Sequence, residues 1–144
     1  MGSSIHNYLA DPGGSKTLIH IDYRLDNMMF GGAHPLAVID WQSCAFGCPL
    51  NDVSYFMGTS LNPKIRLEEE TKLLRLYFDI LKNYEVTIDW VTVSELYQRY
   101  APAGLVMAVI ASMIVGETQR GNKMFLAMAK RSTQMMLELD SLEV

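Results

Sequence analysis

The stretch TLIHIDYRLDNMMFGGAHPLAVIDWQ, residues 17–42, constrains the fold more than any other part of the sequence. Three of its segments have the apolar, β-branched or aromatic character of short strands: residues 18–23, 27–30 and 36–40. Gly31, Gly32 and Pro35 supply a turn between the last two segments. Beyond Gln42 the strand pattern ends, and an isolated hairpin is only marginally stable in water. The hairpin must therefore pack on other elements.

The rest of the chain has helical patterns. Thr92 and Glu95 form a capping-box pattern, and Pro102 should interrupt the helix that follows it. Residues 101–116 are almost entirely apolar but fall short of the roughly 20 residues that a bilayer core requires, so we expect a buried helix there. The other predicted helices cover residues 51–58, the stretch that begins with Asn62 as N-cap and Pro63, and a last helix from about residue 122. The sequence predicts a mainly α fold with a small β hairpin segment, an α+β class.

Composition narrows the functional classes. The chain has 144 residues, enough for a single domain over residues 1–144. Its formal net charge of -4 disfavours nucleic-acid binding. Two cysteines, Cys44 and Cys48, are too few for a disulfide scaffold and favour a reducing compartment. Residues 1–14 lack the apolar segment of a secretory signal. We therefore expect a cytoplasmic protein that binds neither nucleic acid nor membranes.

Asp22 and Asp40 each follow a short apolar run, and Asn27 lies five residues after Asp22. If the runs pair, these three side chains emerge close together. Carboxylate and amide oxygens suit a hard cation, and magnesium is commonly held by one or two carboxylates plus substrate phosphates. A further aspartate can then orient an attacking hydroxyl, as in kinase-type phosphoryl transfer. The pattern predicts a site for that chemistry.

The motifs in residues 18–53 resemble a known enzyme family. HIDYRLDN, residues 20–27, resembles the H-G-D-x-x-x-x-N catalytic loop of the aminoglycoside phosphotransferase family, which is related to choline kinases and has a protein-kinase-like fold. VIDWQ, residues 38–42, is similar to that family's metal-binding segment. GCPLNDV, residues 47–53, matches its G-x-P-x-x-D landmark. The resemblance implies that this chain corresponds to the C-terminal lobe of a kinase-like phosphotransferase.

The resemblance also implies a role for each matching residue. Asp22 would be the catalytic base, and Asn27 and Asp40 would be the magnesium ligands. His20 would support the catalytic loop, and Asp52 would hold the backbone amides of that loop. ATP and Mg²⁺ would be the cofactors, and the partner would be a small molecule with a hydroxyl group. The residues that bind ATP and the identity of the substrate cannot be assigned from the motifs.

Two departures from the family pattern affect the expected activity. Ile21 replaces the usual glycine, which matters wherever the backbone needs a positive φ. Only 19 residues precede His20, and residues 5–10 are the one stretch there with room for a helix, so we expect the nucleotide-binding N-terminal lobe to be absent. The sequence also lacks a G-x-x-x-x-G-K phosphate-binding loop.

Three hypotheses follow from that expected absence. The first is a truncated phosphotransferase, inactive alone, that binds magnesium and ATP weakly or not at all. The second is a non-catalytic ligand-binding or protein-interaction module derived from such a lobe. The third is a small enzyme that borrows a nucleotide lobe from a partner. Apolar surface left uncovered by the missing lobe would drive association, so we also expect a homodimer.

Overall fold

The computed structural model describes residues 15–142, so residues 5–10 lie outside the described part of the chain. The strands are β1 (Thr17–Ile19), β2 (Met28–Phe30), β3 (Leu36–Val38) and β4 (Ala45–Gly47). The helices are α1 (Leu50–Ser60), α2 (Pro63–Asn83), α3 (Trp90–Tyr100), α4 (Ala103–Ile114) and α5 (Gln119–Glu138). The prediction of a mainly α fold with a small β segment is confirmed.

The strands form two separate antiparallel ribbons rather than one hairpin. Strand β2 pairs with β3, as expected, and Phe30 lies opposite Leu36. Strand β1 pairs with β4, and Leu18 lies opposite Phe46. The expectation that strand structure ends at Gln42 was therefore wrong. Because β4 has only three residues and contains Ala and Gly, it shows no alternating apolar pattern.

The strand predicted over residues 18–23 was too long. Strand β1 ends at Ile19, because Ile21 has a φ of 70°, which is incompatible with an extended strand. The chain turns sharply there and passes into a short 3₁₀ helix, Leu25–Asn27. A second 3₁₀ helix, Trp41–Ser43, separates β3 from β4. The residues of the predicted site lie in and beside these two turns.

The helix ends follow local sequence signals, with one correction. Asn62 caps α2 by accepting a hydrogen bond from the backbone N–H of Lys64. The capping box predicted from Thr92 and Glu95 was wrong: Asp89 is the cap of α3 and accepts from the backbone N–H of Thr92 at 2.8 Å. An aspartate is as good a cap as a threonine, and the helix begins three residues earlier. Pro102 separates α3 from α4, as expected.

Two apolar clusters form the core. The larger joins helices α1, α2, α3 and α5 and includes Leu50, Leu74, Phe78, Val93 and Met135. The smaller lies between α1, α4 and α5, and consists of Tyr55, Ala103, Ala108 and Met128 with partly buried neighbours. The smaller cluster lies directly beneath the turn that carries Asp22, because the hydroxyl of Tyr55 reaches that side chain.

The apolar run over residues 101–116 is only half buried. Ala103 and Ala108 are buried, but Met113 is 81% exposed and Ile114 is 77% exposed. The expectation of a fully buried helix was therefore wrong. Helix α4 packs against α5 and α1 along one face and leaves the outer face of its C-terminal half uncovered. Among residues 15–142, no helix has the combined length and apolarity needed to cross a membrane.

Candidate active site

Asp52, in the first turn of α1, fixes the backbone of the turn that follows β1. Its carboxylate accepts hydrogen bonds from the backbone N–H of His20 at 2.6 Å and of Ile21 at 2.9 Å. Burial raises the pKa of Asp52, and the two backbone donors oppose that rise. The structure thus places Asp52 on the two backbone amides just before Asp22.

Ile21 holds an unfavourable backbone conformation. Its φ of 70° lies in the left-handed region, where an L-residue with a Cβ is destabilised by roughly 1–2 kcal/mol. Glycine, the residue of the resembling family, has no such penalty. The position therefore requires a positive φ, and this chain meets the requirement with a β-branched residue held by Asp52.

The carboxylate of Asp22 is held by three donors. Tyr55 donates its hydroxyl to Oδ1 at 2.6 Å, and Arg24 donates Nε to the same oxygen at 2.9 Å. Asn27 donates Nδ2 to Oδ2 at 2.8 Å and to the backbone carbonyl of Asp22 at 2.8 Å. Asn27 is 6% exposed, so the pair is shielded from water on the Asn27 side. Asp22 and Asn27 form one fixed unit.

Asp40 reaches the same region through its neighbour Ile39. The backbone N–H of Ile39 donates to the carbonyl of Asn27 at 2.9 Å, and the carbonyl of Ile39 contacts Nε2 of His20 at 2.8 Å. Asp40 itself has a φ of 65°, in the left-handed region that aspartate tolerates better than most residues. Asp22 and Asp40 line one cleft of about 240 Å³.

His20 is a buried link rather than an exposed reactive group. It is 1% exposed, and its ring lies 4.7 Å from the ring of Trp41, centroid to centroid. With Nε2 on the carbonyl of Ile39, Nδ1 is buried without a hydrogen-bond partner. The backbone carbonyl of His20 accepts from the hydroxyl of Ser43 at 3.1 Å. These contacts connect the turn of Asp22 to the turn of Asp40.

Sequence reasoning missed three polar residues of the cleft: Arg24, Gln42 and Tyr55. Tyr55 lies three residues after Asp52 on the same helix, so the helical period places both on the face toward the catalytic loop. Strong desolvation and the Asp22 carboxylate raise the pKa of Tyr55 far above its ordinary value, so it remains a hydrogen-bond donor. The spacing of Asp52 and Tyr55 could therefore have identified Tyr55 as a site residue from the sequence.

The opposite wall of the cleft is apolar. Helices α4 and α5, with Val115 directly after α4, contribute its side chains, which are Met107, Ala111, Val115, Met124, Phe125 and Met128. A molecule in the cleft would therefore contact carboxylates on one side and hydrocarbon and thioether groups on the other. Such a division would orient a bound molecule with its polar end toward Asp22.

The side-chain carbonyl of Asn27 and the carboxylate of Asp40 are the oxygen donors that could share a magnesium ion with substrate phosphates. The amide nitrogen of Asn27 is engaged by Asp22, which leaves its carbonyl oxygen as the available ligand atom, and the Asp40 carboxylate lines the cleft. Within residues 15–142, no group of three or more His, Cys, Asp or Glu side chains is arranged to hold a metal ion. Magnesium often relies on only one or two protein ligands, with water and phosphate oxygens completing the octahedron.

Comparison with known proteins identifies the family. The model of the ecdysteroid kinase-like family matches residues 2–89. Human acyl-CoA dehydrogenase family member 11 is 42% identical over 53 residues, 33% of this chain and 6% of that protein. The chicken (Gallus gallus) protein is 41% identical over 66 residues, 39% of this chain and 8% of that protein. Mouse (Mus musculus) acyl-CoA dehydrogenase family member 10 is 48% identical over 44 residues, 27% of this chain and 4% of that protein.

The chain therefore spans less than a tenth of the length of these curated relatives. No solved structure matches it. The family match covers the predicted catalytic loop, the metal-binding segment and the G-x-P-x-x-D landmark. The chain belongs to the ecdysteroid kinase-like family, and the predicted membership of a kinase-like phosphotransferase family is confirmed.

Proposed function

We propose that this chain is the C-terminal, catalytic-loop lobe of an ATP- and Mg²⁺-dependent phosphotransferase that phosphorylates a hydroxyl group of a small molecule. One observation carries the proposal: Asp22 and Asp40 line a single cleft, with Asn27 hydrogen-bonded to Asp22 at 2.8 Å. That combination matches the division of labour in kinase-type phosphoryl transfer. A role in capping turns would not explain why the carboxylates of Asp22 and Asp40 line the same cleft.

In this proposal each residue acts by positioning. Asp22, fixed by Tyr55 and Arg24, accepts the hydrogen bond of the substrate hydroxyl and aligns it for attack. Asn27 and Asp40 hold the magnesium ion, which would neutralise charge on the transferred phosphate when bound. His20 holds the turn of Asp22 against the turn of Asp40. The apolar wall excludes water and favours an acceptor with an apolar body over an amino sugar.

We propose that the described part of the chain, residues 15–142, is inactive alone, because its site offers a nucleotide only two metal ligands and one base. No ADP should form when the chain is incubated with ATP, magnesium and small alcohols. Turnover that disappears in Asp22→Asn would contradict this part of the proposal while supporting the assigned chemistry.

Manganese binding tests the site directly. Mn²⁺ substitutes for magnesium and broadens NMR signals more strongly the closer the nucleus lies, so in a titration from low Mn²⁺ concentration the signals of Asn27, Asp40 and their neighbours should broaden first. Asp40→Asn should abolish the effect. Asp79→Asn, which removes an exposed carboxylate on α2, is the matched control and should leave it unchanged. Broadening only elsewhere on the surface would contradict the proposal.

The second candidate is a non-catalytic ligand-binding module. It is favoured by the contacts of Asp22, because both oxygens of the carboxylate already accept hydrogen bonds and one of them pairs with the Arg24 guanidinium. Such a module would bind alcohols in the cleft without any metal effect at Asn27 or Asp40. The manganese experiment therefore separates the two candidates.

We also propose that the chain forms a homodimer through its two β ribbons. The cross-strand pair Leu18 and Phe46 is 60% and 74% exposed, and Phe30 on the other ribbon is 66% exposed. Exposed apolar pairs of this kind favour association. Light scattering after size exclusion should show a dimer that Phe46→Asp weakens more than Leu137→Asp. A monomer at micromolar concentration would contradict this proposal.

A further inference from the structure

The carboxylate of Asp22 has one hydrogen-bonding position left over from the contacts that hold it. An ionised carboxylate offers about four positions to hydrogen-bond donors, two on each oxygen. Oδ1 accepts from the hydroxyl of Tyr55 at 2.6 Å and from Nε of Arg24 at 2.9 Å, so both of its positions are taken. Oδ2 accepts from Nδ2 of Asn27 at 2.8 Å, and Asn27 is the one side chain among residues 15–142 that donates to it. One position on Oδ2 therefore remains for a further donor.

Tyr55 holds Oδ1 more firmly than Arg24 does. Tyr55 is 1% exposed and lies in the small core cluster, so its ring cannot move away without disturbing the packing. Burial and the neighbouring Asp22 carboxylate raise the pKa of Tyr55 far above its ordinary value, so the hydroxyl keeps its proton and remains a donor. The guanidinium of Arg24 also donates to the exposed Asp26 and to the sulfur of Met124, and therefore has other acceptors nearby.

The open position on Oδ2 lies on the oxygen that Asn27 contacts. The amide nitrogen of Asn27 donates to Oδ2 and, also at 2.8 Å, to the backbone carbonyl of Asp22, so both of its N–H groups are used. The amide oxygen is the end of this side chain that remains for magnesium. A hydroxyl bound to Oδ2 would therefore lie beside the amide group whose oxygen is the proposed metal ligand.

We propose that the acceptor hydroxyl binds Oδ2 of Asp22 and that Tyr55 is the positioning residue that confines the hydroxyl to this oxygen. The inference rests on the proposed function for the role of Asp22 as the base. It adds the oxygen that receives the hydroxyl and a residue that lies outside the catalytic-loop motif. The choice of oxygen matters for rate, because a misplacement of about 1 Å can cost roughly 100-fold, and the two oxygens of a carboxylate lie farther apart than that.

A bound alcohol tests the choice of oxygen on the unmodified chain. The probe is 2,2,2-tribromoethanol soaked into crystals of the chain, because anomalous scattering from bromine locates the molecule independently of the protein. We expect its hydroxyl oxygen to lie within hydrogen-bonding distance of Oδ2 of Asp22, with the contact between Tyr55 and Oδ1 unchanged. An alcohol bound to Oδ1 in place of Tyr55 would overturn the inference. An alcohol that leaves Asp22 uncontacted would also overturn it, because Oδ2 would then have no accessible position.

A matched pair of variants tests the role of Tyr55 in solution. Tyr55→Phe removes the hydroxyl at Oδ1, and Tyr97→Phe removes a hydroxyl that donates to Glu70 at 3.0 Å from a side chain that is 4% exposed. The side-chain amide signal of Asn27 is followed by NMR in a titration with the same alcohol. In Tyr55→Phe its shift at saturation should fall by roughly half, because two oxygens with one open position each would share the alcohol. Tyr97→Phe should give the wild-type shift.

A purely structural role for Tyr55 predicts a different result. Both variants would then lose stability, but the shift of Asn27 at saturation would equal that of the wild type in each, which would overturn the inference. Thermal unfolding shows beforehand that each variant is folded, and if Tyr55→Phe does not fold, the crystal experiment on the unmodified chain decides.

The manganese experiment separates this inference from the proposed function. Broadening by Mn²⁺ at Asn27 and Asp40, together with an alcohol bound to Oδ1 of Asp22, would refute the inference and leave the proposed function intact. An alcohol bound to Oδ2 in a chain without that broadening would support the assigned oxygen and contradict the proposed metal site.

Discussion

The molecule contains two polar networks that differ in the part of the fold they hold. Around Asp22 and Asp52, hydrogen bonds hold a turn whose Asp22 side chain lines the cleft shared with Asp40. Around Arg66, in the helical body, a guanidinium that is 1% exposed forms ion pairs with Glu70 and Glu138. In the proposed function the first network positions acceptors for another molecule, whereas the second joins helices to one another.

The Arg66 network joins three helices. Arg66 and Glu70 lie on α2, Glu138 ends α5, and Tyr97 of α3 donates its hydroxyl to Glu70 at 3.0 Å. A cleft of about 360 Å³ borders it, but both glutamates there are already paired with Arg66. Both glutamates of this cleft therefore belong to the ion pairs that join the helices.

Backbone strain is the second difference between the networks. Ile21 and Asp40, which flank Asp22 in space, both have positive φ values, whereas the residues of the Arg66 network do not. Strained residues persist where surrounding contacts over-determine them, and they cluster at functional sites. We therefore predict that the Arg66 network stabilises the fold. The network around Asp22 and Asp52 instead holds the backbone in a strained conformation, which lowers the stability.

Arg66→Ala should have the largest effect, because it leaves two carboxylates without their buried partner. We expect a loss of about 3 kcal/mol in the free energy of unfolding, at the lower end for a broken buried pair since Glu138 is 27% exposed. Urea denaturation measures it. Lys72→Ala breaks an exposed pair with Glu69 and should cost less than about 0.5 kcal/mol. Equal losses would refute the assignment of Arg66 to stability.

Asp52→Asn should have the next largest effect. The amide can accept from only one side, so either His20 or Ile21 loses a backbone hydrogen bond, at a cost of about 2 kcal/mol. The variant also tests the raised pKa of Asp52.

The sign of the pH dependence follows from that raised pKa. A carboxyl with a higher pKa in the folded state binds more protons folded than unfolded, so its contribution is largest below the unfolded value of about 4 and declines as pH rises through the folded value. The stability of the wild type relative to Asp52→Asn should therefore increase as pH falls from neutral toward about 4. A relative stability that decreases over this range would contradict the prediction, which urea midpoints at several pH values can check.

The helical part was largely predictable because its signals are local. Asn62 with Pro63 located the start of α2, and Pro102 marked the break before α4. The capping-box pattern of Thr92 and Glu95 indicated the wrong cap, because Asp89, three residues earlier, caps the helix. The exposure of Met113 and Ile114 could not be predicted, since apolar periodicity does not reveal whether a partner covers the helix.

The structure brings the predicted site residues Asp22, Asn27 and Asp40 into neighbouring turns, but the contacts that hold them could not be predicted. The motifs predicted Asp22, Asn27 and Asp40 as site residues from their spacing. No local sequence pattern indicates that β1 pairs with β4 or that Tyr55 donates a hydrogen bond to Asp22. Those contacts join residues about 30 positions apart, so they depend on the packing of α1 against the loop. The catalytic, metal-binding and supporting roles of these residues remain predictions.

Ile21→Gly should have the smallest effect, because a backbone gain is offset by a side-chain loss. Removing the left-handed penalty of roughly 1–2 kcal/mol is opposed by the roughly 0.5–1 kcal/mol that glycine loses in flexibility on folding and by the lost burial of the half-buried Ile21 side chain, so we expect a change within about 1 kcal/mol of zero by urea denaturation. Ile39→Gly removes a side chain that is 42% exposed at a residue without a positive φ, so it has no left-handed penalty to remove and should lose more stability. If both variants lose stability equally, the side chain of Ile21 contributes more than its backbone costs. The loop would then resemble the Arg66 network, and strain would no longer distinguish the two regions.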